Sequence, residues 1–180
     1  MKALPHPDDP TKTVEYFLRK PIGRGPWPTV VFVHGHQDSP RPGGQDFVSW
    51  GALDRFAKLG DLAVAVSQPD CGRSTGPPDF RGPRSQHAAS AVISKLLAEG
   101  WAAKSKIVIE GISRGALVAG LIAAADPSIA GVVVIAGVFD LPGFAAEAKT
   151  LPARLGEKTP HSGPVPSSMW RLESSPACSF

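Results

Sequence analysis

The chain has 180 residues, enough for one domain with a buried core. Hydrophobic residues make up 42% and charged residues 19%, the balance of an ordinary globular protein rather than a disordered or membrane-spanning one. The net charge of +3 comes from scattered basic residues with no run that would follow a phosphate backbone, which argues against nucleic acid as a partner. In chain order, residues 13–18 read as an antiparallel edge strand, and residues 29–33 as a strand that is apolar on both faces. Residues 47–59 place Phe47, Trp50, Leu53, Phe56 and Ala57 on one helical face, and Gly60 ends that helix. A second two-faced strand follows at 62–66. Residues 85–99 then form a helix with Ala88, Ala89, Val92, Ile93, Leu96 and Leu97 inward and Gly100 as its stop. Short β-branched runs at 107–109 and 131–135 flank a small, apolar helix at 116–125 that ends at Asp126-Pro127. Strands that are apolar on both faces and alternate with helices predict a doubly wound, mostly parallel α/β sheet.

The N-terminus, Met1 to Pro7, has no apolar core segment, so a secretory signal is not expected. The longest apolar stretch, 130–138, is strand-sized, so no membrane span is expected either. Cys71 and Cys178 are too few for a disulfide framework and lack metal-ligand spacing. A reduced, cytoplasmic protein without metal or cofactor is the expectation. Gly43-Gly44 and the glycines at 23 and 25 make neither a phosphate loop nor a dinucleotide fingerprint. From residue 151 onward Pro152, Pro160, Pro164, Pro166 and Pro176 break a Ser-rich stretch with no period of 2 or 3.6. Residues 1–156 therefore read as the core, shortened at its C-terminal side, and 157–180 as a poorly ordered tail. The abrupt loss of pattern after Pro160 also fits a shifted reading frame.

Gly111-Ile112-Ser113-Arg114-Gly115 lies between a strand and a helix, the setting that a G-x-S-x-G elbow needs. The glycines allow a sharp turn that lifts the Ser113 hydroxyl above the sheet, and the helix aims its first N–H groups at charge forming there. Ser113 then reads as a nucleophile; the competing reading is an ordinary helix cap. The N–H of Arg114, at the helix start, reads as one donor to an oxyanion. Cys71 reads as an ordinary loop residue, because a nucleophilic cysteine needs an elbow of its own. His87 reads as lying on the exposed side of its helix and His6 as part of a polar N-terminal stretch, neither of them a persuasive base.

Two further motifs precede the elbow: Val33-His34-Gly35-His36, a strand followed by His-Gly, and the loop Gln68-Pro69-Asp70-Cys71-Gly72-Arg73-Ser74-Thr75-Gly76. With the elbow, and in this order, they resemble the α/β-hydrolase family, in particular its prolyl-oligopeptidase-like and dienelactone-hydrolase-like members, over about residues 13–150. The resemblance implies the fold and a second oxyanion donor, the backbone N–H of His36, with no demand on its side chain. The competing reading of His34-Gly35 is a plain strand-to-loop turn.

The family carries its acid after a strand beyond the lid region and its histidine after one more, and neither strand is legible here. The residues left in the order Ser, Asp, His are Asp140 and His161. Asp140 stands as acid or as a turn cap before Pro142, and His161 as base or as a solvated loop residue.

Two functions follow. One is a serine hydrolase, esterase-like, that cleaves a small-molecule carboxylic ester or related acyl compound through an acyl-enzyme on Ser113. The other is a truncated, catalytically impaired relative that acts by binding or by self-association through an open sheet edge.

Overall fold

Strands β1 (Lys2–His6), β2 (Asp9–Arg19), β3 (Trp27–Val33), β4 (Leu62–Val66), β5 (Ala102–Ile112) and β6 (Ile129–Ile135) form one mixed sheet in the order β1-β2-β4-β3-β5-β6. The structure, a computed structural model, describes residues 1–79, 82–137 and 139–140. The chain divides into two compact units, Met1–Phe139 and Asp140–Phe180, and all described secondary structure lies in the first. The core boundary expected at residue 156, the tail beyond it, Cys178 and His161 lie outside the described residues.

The four two-faced apolar runs become the parallel centre of the sheet. β4 pairs with β3, β3 with β5, and β5 with β6, all parallel. The crossovers are supplied by α1 (Gln45–Ser49) and α2 (Ala52–Leu59) after β3, α3 (Pro83–Ala98) after β4, and α4 (Arg114–Ala125) after β5. Alternation along each strand sends residues to opposite faces. On one face Val31, Val33, Leu62, Val64, Val66, Ile107 and Ile109 pack with Ala88, Val92, Ile93 and Leu96 of α3 and Val118, Ala119 and Ile122 of α4. On the other, Phe17, Val30, Phe32, Ala63 and Ala65 pack with Phe47 of α1 and Leu53 of α2. Ala63 and Ala65 are small, which leaves room for an aromatic cluster: the Phe32 ring centroid lies 5.0 Å from Phe47 and 5.4 Å from Phe56. Each fully buried aliphatic or aromatic side chain stabilises the fold by about 1.5–3 kcal/mol.

Three expectations need correction. Residues 13–18 do form an antiparallel strand, but β2 is internal, paired with β4 on one side and β1 on the other. The edge is β1, short, polar and carrying Pro5, which disguises it in sequence and suits a strand with one open side. His6, in that same polar stretch, is 1% exposed because β1 folds against α3, where its Nε2 lies 3.1 Å from the Arg84 carbonyl. The helix expected over 47–59 is two, because Gly51 adopts φ 72°, and Trp50 ends up 63% exposed at the break. Gly60, at φ 100°, ends α2 as expected. The last strand stops at Ile135, where Ala136 takes φ 48°.

Among the described residues β6 is an edge, and Val132, Val133, Val134 and Ile135 are 42%, 44%, 45% and 44% exposed. No helix among them is long and apolar enough to cross a membrane.

Candidate active site

The C-terminal ends of β3, β4 and β5 lie side by side, so the loops that follow them meet at one end of the sheet, where open α/β sheets place their ligands. β5 runs to Ile112, Ser113 takes φ 54° and ψ −121°, and α4 begins at Arg114. That backbone conformation is sparsely populated for any residue with a side chain, and its surroundings hold it in place. A β-carbon on Gly111 would overlap the Gly115 carbonyl and lie 2.6 Å from the Ala116 Cα, so the helix needs a bare backbone to leave the strand so sharply. Gly115 faces the Val33 and His34 carbonyl oxygens just as closely, which lets α4 start against the end of β3. The Ser113 N–H donates to the Ile135 carbonyl at 2.7 Å, tying the turn to the end of β6.

The loop after β3 passes directly beside this turn. A β-carbon on Gly35 would sit 2.8 Å from the Ile112 carbonyl oxygen and 2.9 Å from the Ser113 Cβ. His34 is 2% exposed and fixes the loop to its neighbour. Its Nε2 accepts the Gln68 N–H at 3.0 Å, so its Nδ1 carries the proton and donates to the Gly35 carbonyl at 2.9 Å. The Gln68 side-chain amide donates in return to the His34 carbonyl at 2.6 Å. With both ring nitrogens engaged in this way, His34 is a brace in neutral form. Arg41 and Asp70 add an ion pair between the same two loops. The His36 ring is 52% exposed, with its Nε2 3.4 Å from an Asp38 carboxylate oxygen.

Of the residues singled out in the sequence, Ser113, Arg114 and the His34-Gly35-His36 loop come together. Asp140 opens the second unit and is exposed. His87 is 51% exposed, and its Nδ1 lies 2.8 Å from an Asp8 carboxylate oxygen. Cys71 is buried, its N–H donating to the Gln68 carbonyl at 3.1 Å within the turn after β4. Burial holds the Glu110 carboxyl above its ordinary value and pulls the Arg114 guanidinium below its own, so the turn is flanked by partly desolvated charges. Among the described residues no group of three or more His, Cys, Asp or Glu is placed to hold a metal ion.

The sequence reading missed Glu15. It is 3% exposed, and its Oε2 accepts the Ser67 hydroxyl at 2.8 Å and the Arg73 N–H at 3.0 Å. The signal available was a lone carboxylate in the otherwise apolar run Val14-Glu15-Tyr16-Phe17-Leu18.

The model of the alpha/beta hydrolase family matches residues 30–180. Among curated proteins no match was found. Among solved structures, an esterase from Pyrococcus furiosus is similar with a TM-score of 0.69 at 19% identity, over 86% of this chain and 55% of that one. A serine hydrolase homologue from Coxiella burnetii is similar with a TM-score of 0.63 at 18% identity, over 81% of this chain and 66% of that one. An esterase from Exiguobacterium antarcticum is similar with a TM-score of 0.62 at 14% identity, over 86% and 55%. At these identities the likeness is one of fold, and the chain spans between 55% and 66% of the length of these three structures.

Proposed function

Because the chain belongs to the alpha/beta hydrolase family, we propose that it is a serine hydrolase that cleaves a carboxylic ester through an acyl-enzyme on Ser113. The observation that carries this reading is the backbone of Ser113, at φ 54° and ψ −121° between glycines that tolerate no β-carbon. A residue that only capped α4 would need none of that strain, and its side chain makes no capping hydrogen bond. Two of the solved structures that share the fold are esterases, which supports an ester as the bond cleaved.

In this reading Ser113 Oγ attacks the carbonyl carbon and gives its proton to a base. The negative charge that develops on the carbonyl oxygen is met by the main-chain N–H of Arg114, at the first position of α4, and of His36, in the loop beside Ser113. Collapse of the tetrahedral species breaks the carbon–oxygen bond to the alcohol, which leaves with the proton from the base. Water then attacks the acyl-serine by the reverse proton path. His161 is the proposed base and Asp140 the acid that orients it.

Labelling with a fluorophosphonate, read by intact mass, tests this. One adduct per chain that is lost in Ser113→Ala is the expected result, and an adduct that survives in Ser113→Ala overturns it. Loss in His161→Ala as well supports a base from that segment.

A second reading, of a chain that acts by binding or by pairing with itself, is supported by β6. Its four consecutive apolar residues are each more than two-fifths exposed. Sedimentation velocity across a concentration series tests it, and a concentration-independent monomer overturns it.

A further inference from the structure

We propose that Glu15 is a positioning residue for the loop that carries the His36 N–H, a reading that rests on the proposed oxyanion site. Glu15 lies on β2, two strands away from β3, yet hydrogen bonds joined through one peptide bond lead from its carboxylate to the residue next to His36. Glu15 Oε2 accepts the Ser67 hydroxyl at 2.8 Å, and the same hydroxyl oxygen accepts the Gly44 N–H at 2.9 Å. Gly43 is clamped on both sides by the Gln37 side-chain amide: its N–H donates to Gln37 Oε1 at 2.8 Å and its carbonyl accepts from Gln37 Nε2 at 3.0 Å. Gln37 Nε2 also donates to an Asp46 carboxylate oxygen at 2.7 Å, at the start of α1. The path from Glu15 to Gln37 therefore runs through oriented hydrogen bonds joined by the Gly43–Gly44 peptide bond.

The backbone is shaped around this carboxylate. Gly72 takes φ 58°, and a β-carbon there would overlap the Glu15 carboxylate and lie 2.9 Å from Ser67 Oγ. Gly43 takes φ 63°, and a β-carbon there would lie 2.7 Å from the Ser67 Cβ. The Glu15 main chain joins in, its N–H donating to Ser74 Oγ at 2.8 Å and its carbonyl accepting the Ser67 N–H at 2.9 Å. If the site had only to pack against the sheet, an apolar side chain would do it, as Tyr16 and Phe17 do in the cores on either face. A carboxylate adds direction: it fixes where the Ser67 hydroxyl points, and so where Gly44 and the Gln37-clamped loop lie. A donor displaced by a fraction of an ångström stabilises an oxyanion poorly while leaving substrate binding almost intact.

The test uses the full chain with Glu15→Gln, Ser67→Ala and the double variant. It measures hydrolysis of p-nitrophenyl acetate, fluorophosphonate labelling and amide hydrogen exchange over residues 37–44, with thermal melting to establish that each variant is folded. Either single change is expected to lower kcat by about tenfold with KM little changed, and the double variant to lose no more than the worse single one, because both act through one path. Amides of 37–44 should exchange faster in both. Unchanged kcat in folded single variants overturns the proposal, and so does a loss that appears in KM alone. If wild type neither turns over the ester nor takes the label, the Ser113 reading falls by itself. Exchange over 37–44 then decides the coupling, with faster exchange in Glu15→Gln supporting it and unchanged exchange overturning it.

Discussion

Gly35 stands so close to Ser113 that a β-carbon on the glycine would come within 2.9 Å of the serine Cβ. The loop after β3 and the turn after β5 are thus packed backbone to side chain, at the ends of two adjacent parallel strands.

Gly35→Ala should therefore push the loop away from the turn. We expect a destabilisation of about 1–3 kcal/mol and a fall in ester turnover of at least about tenfold. Denaturant unfolding alongside kcat measures both, and wild-type values in both would show that the loop yields without consequence.

Ser113→Gly separates strain from chemistry. Glycine accepts φ 54° with ψ −121° freely, so the variant should be more stable than wild type by about 1 kcal/mol while losing all fluorophosphonate labelling. Ser113→Ala keeps the β-carbon and should lose the label without that gain. A lower midpoint for the glycine variant in urea would contradict the strain argument.

Glu110 sits one residue before the turn, and burial raises its carboxyl above the ordinary value of 4.5. The native state therefore keeps a proton that the unfolded chain has already released. Stability from this group is present below pH 4.5 and falls as pH rises through the raised native value. Glu110→Gln should flatten that part of the pH–stability curve, with a higher melting temperature than wild type at pH 7 and no difference below pH 4.5. Parallel curves for the two proteins would remove Glu110 from the account.

Phe47 is 1% exposed, with its ring centroid 5.0 Å from Phe32 and 5.3 Å from Trp50. Phe47→Ala should cost about 3–5 kcal/mol in denaturant unfolding, since the Ala63 and Ala65 side opposite cannot collapse into the space. A loss below about 1 kcal/mol would mean that α1 repacks.

The serine turn was legible in the sequence because its requirements are local. A strand, two glycines flanking the serine step and a small-residue helix are all read within nineteen positions of chain, 107–125. The same holds for the parallel strands, whose two-faced apolar character is visible residue by residue. Local reading failed where a role depends on a distant partner. His6 read as part of a polar N-terminal stretch because its Arg84 partner lies 78 residues away, and Glu15 was missed because its Ser67 partner is 52 residues away. The exposure of Trp50 turned on Gly51 alone, whose left-handed backbone ended one helix and began another where the periodic pattern ran straight through.

The sequence by itself determined the two-faced strands of the central sheet and their parallel character, the helices after β4 and β5, and the position of the serine between its glycines. Those follow from side-chain size, polarity and backbone freedom, which each residue carries wherever it lies. The tertiary structure decided the strand order, the burial of His6, the bracing of His34 by Gln68, and the path from Glu15 to the loop beside Ser113. Each of these is a contact between segments far apart in the chain. Such contacts exist only once the sheet has chosen which strands lie next to one another.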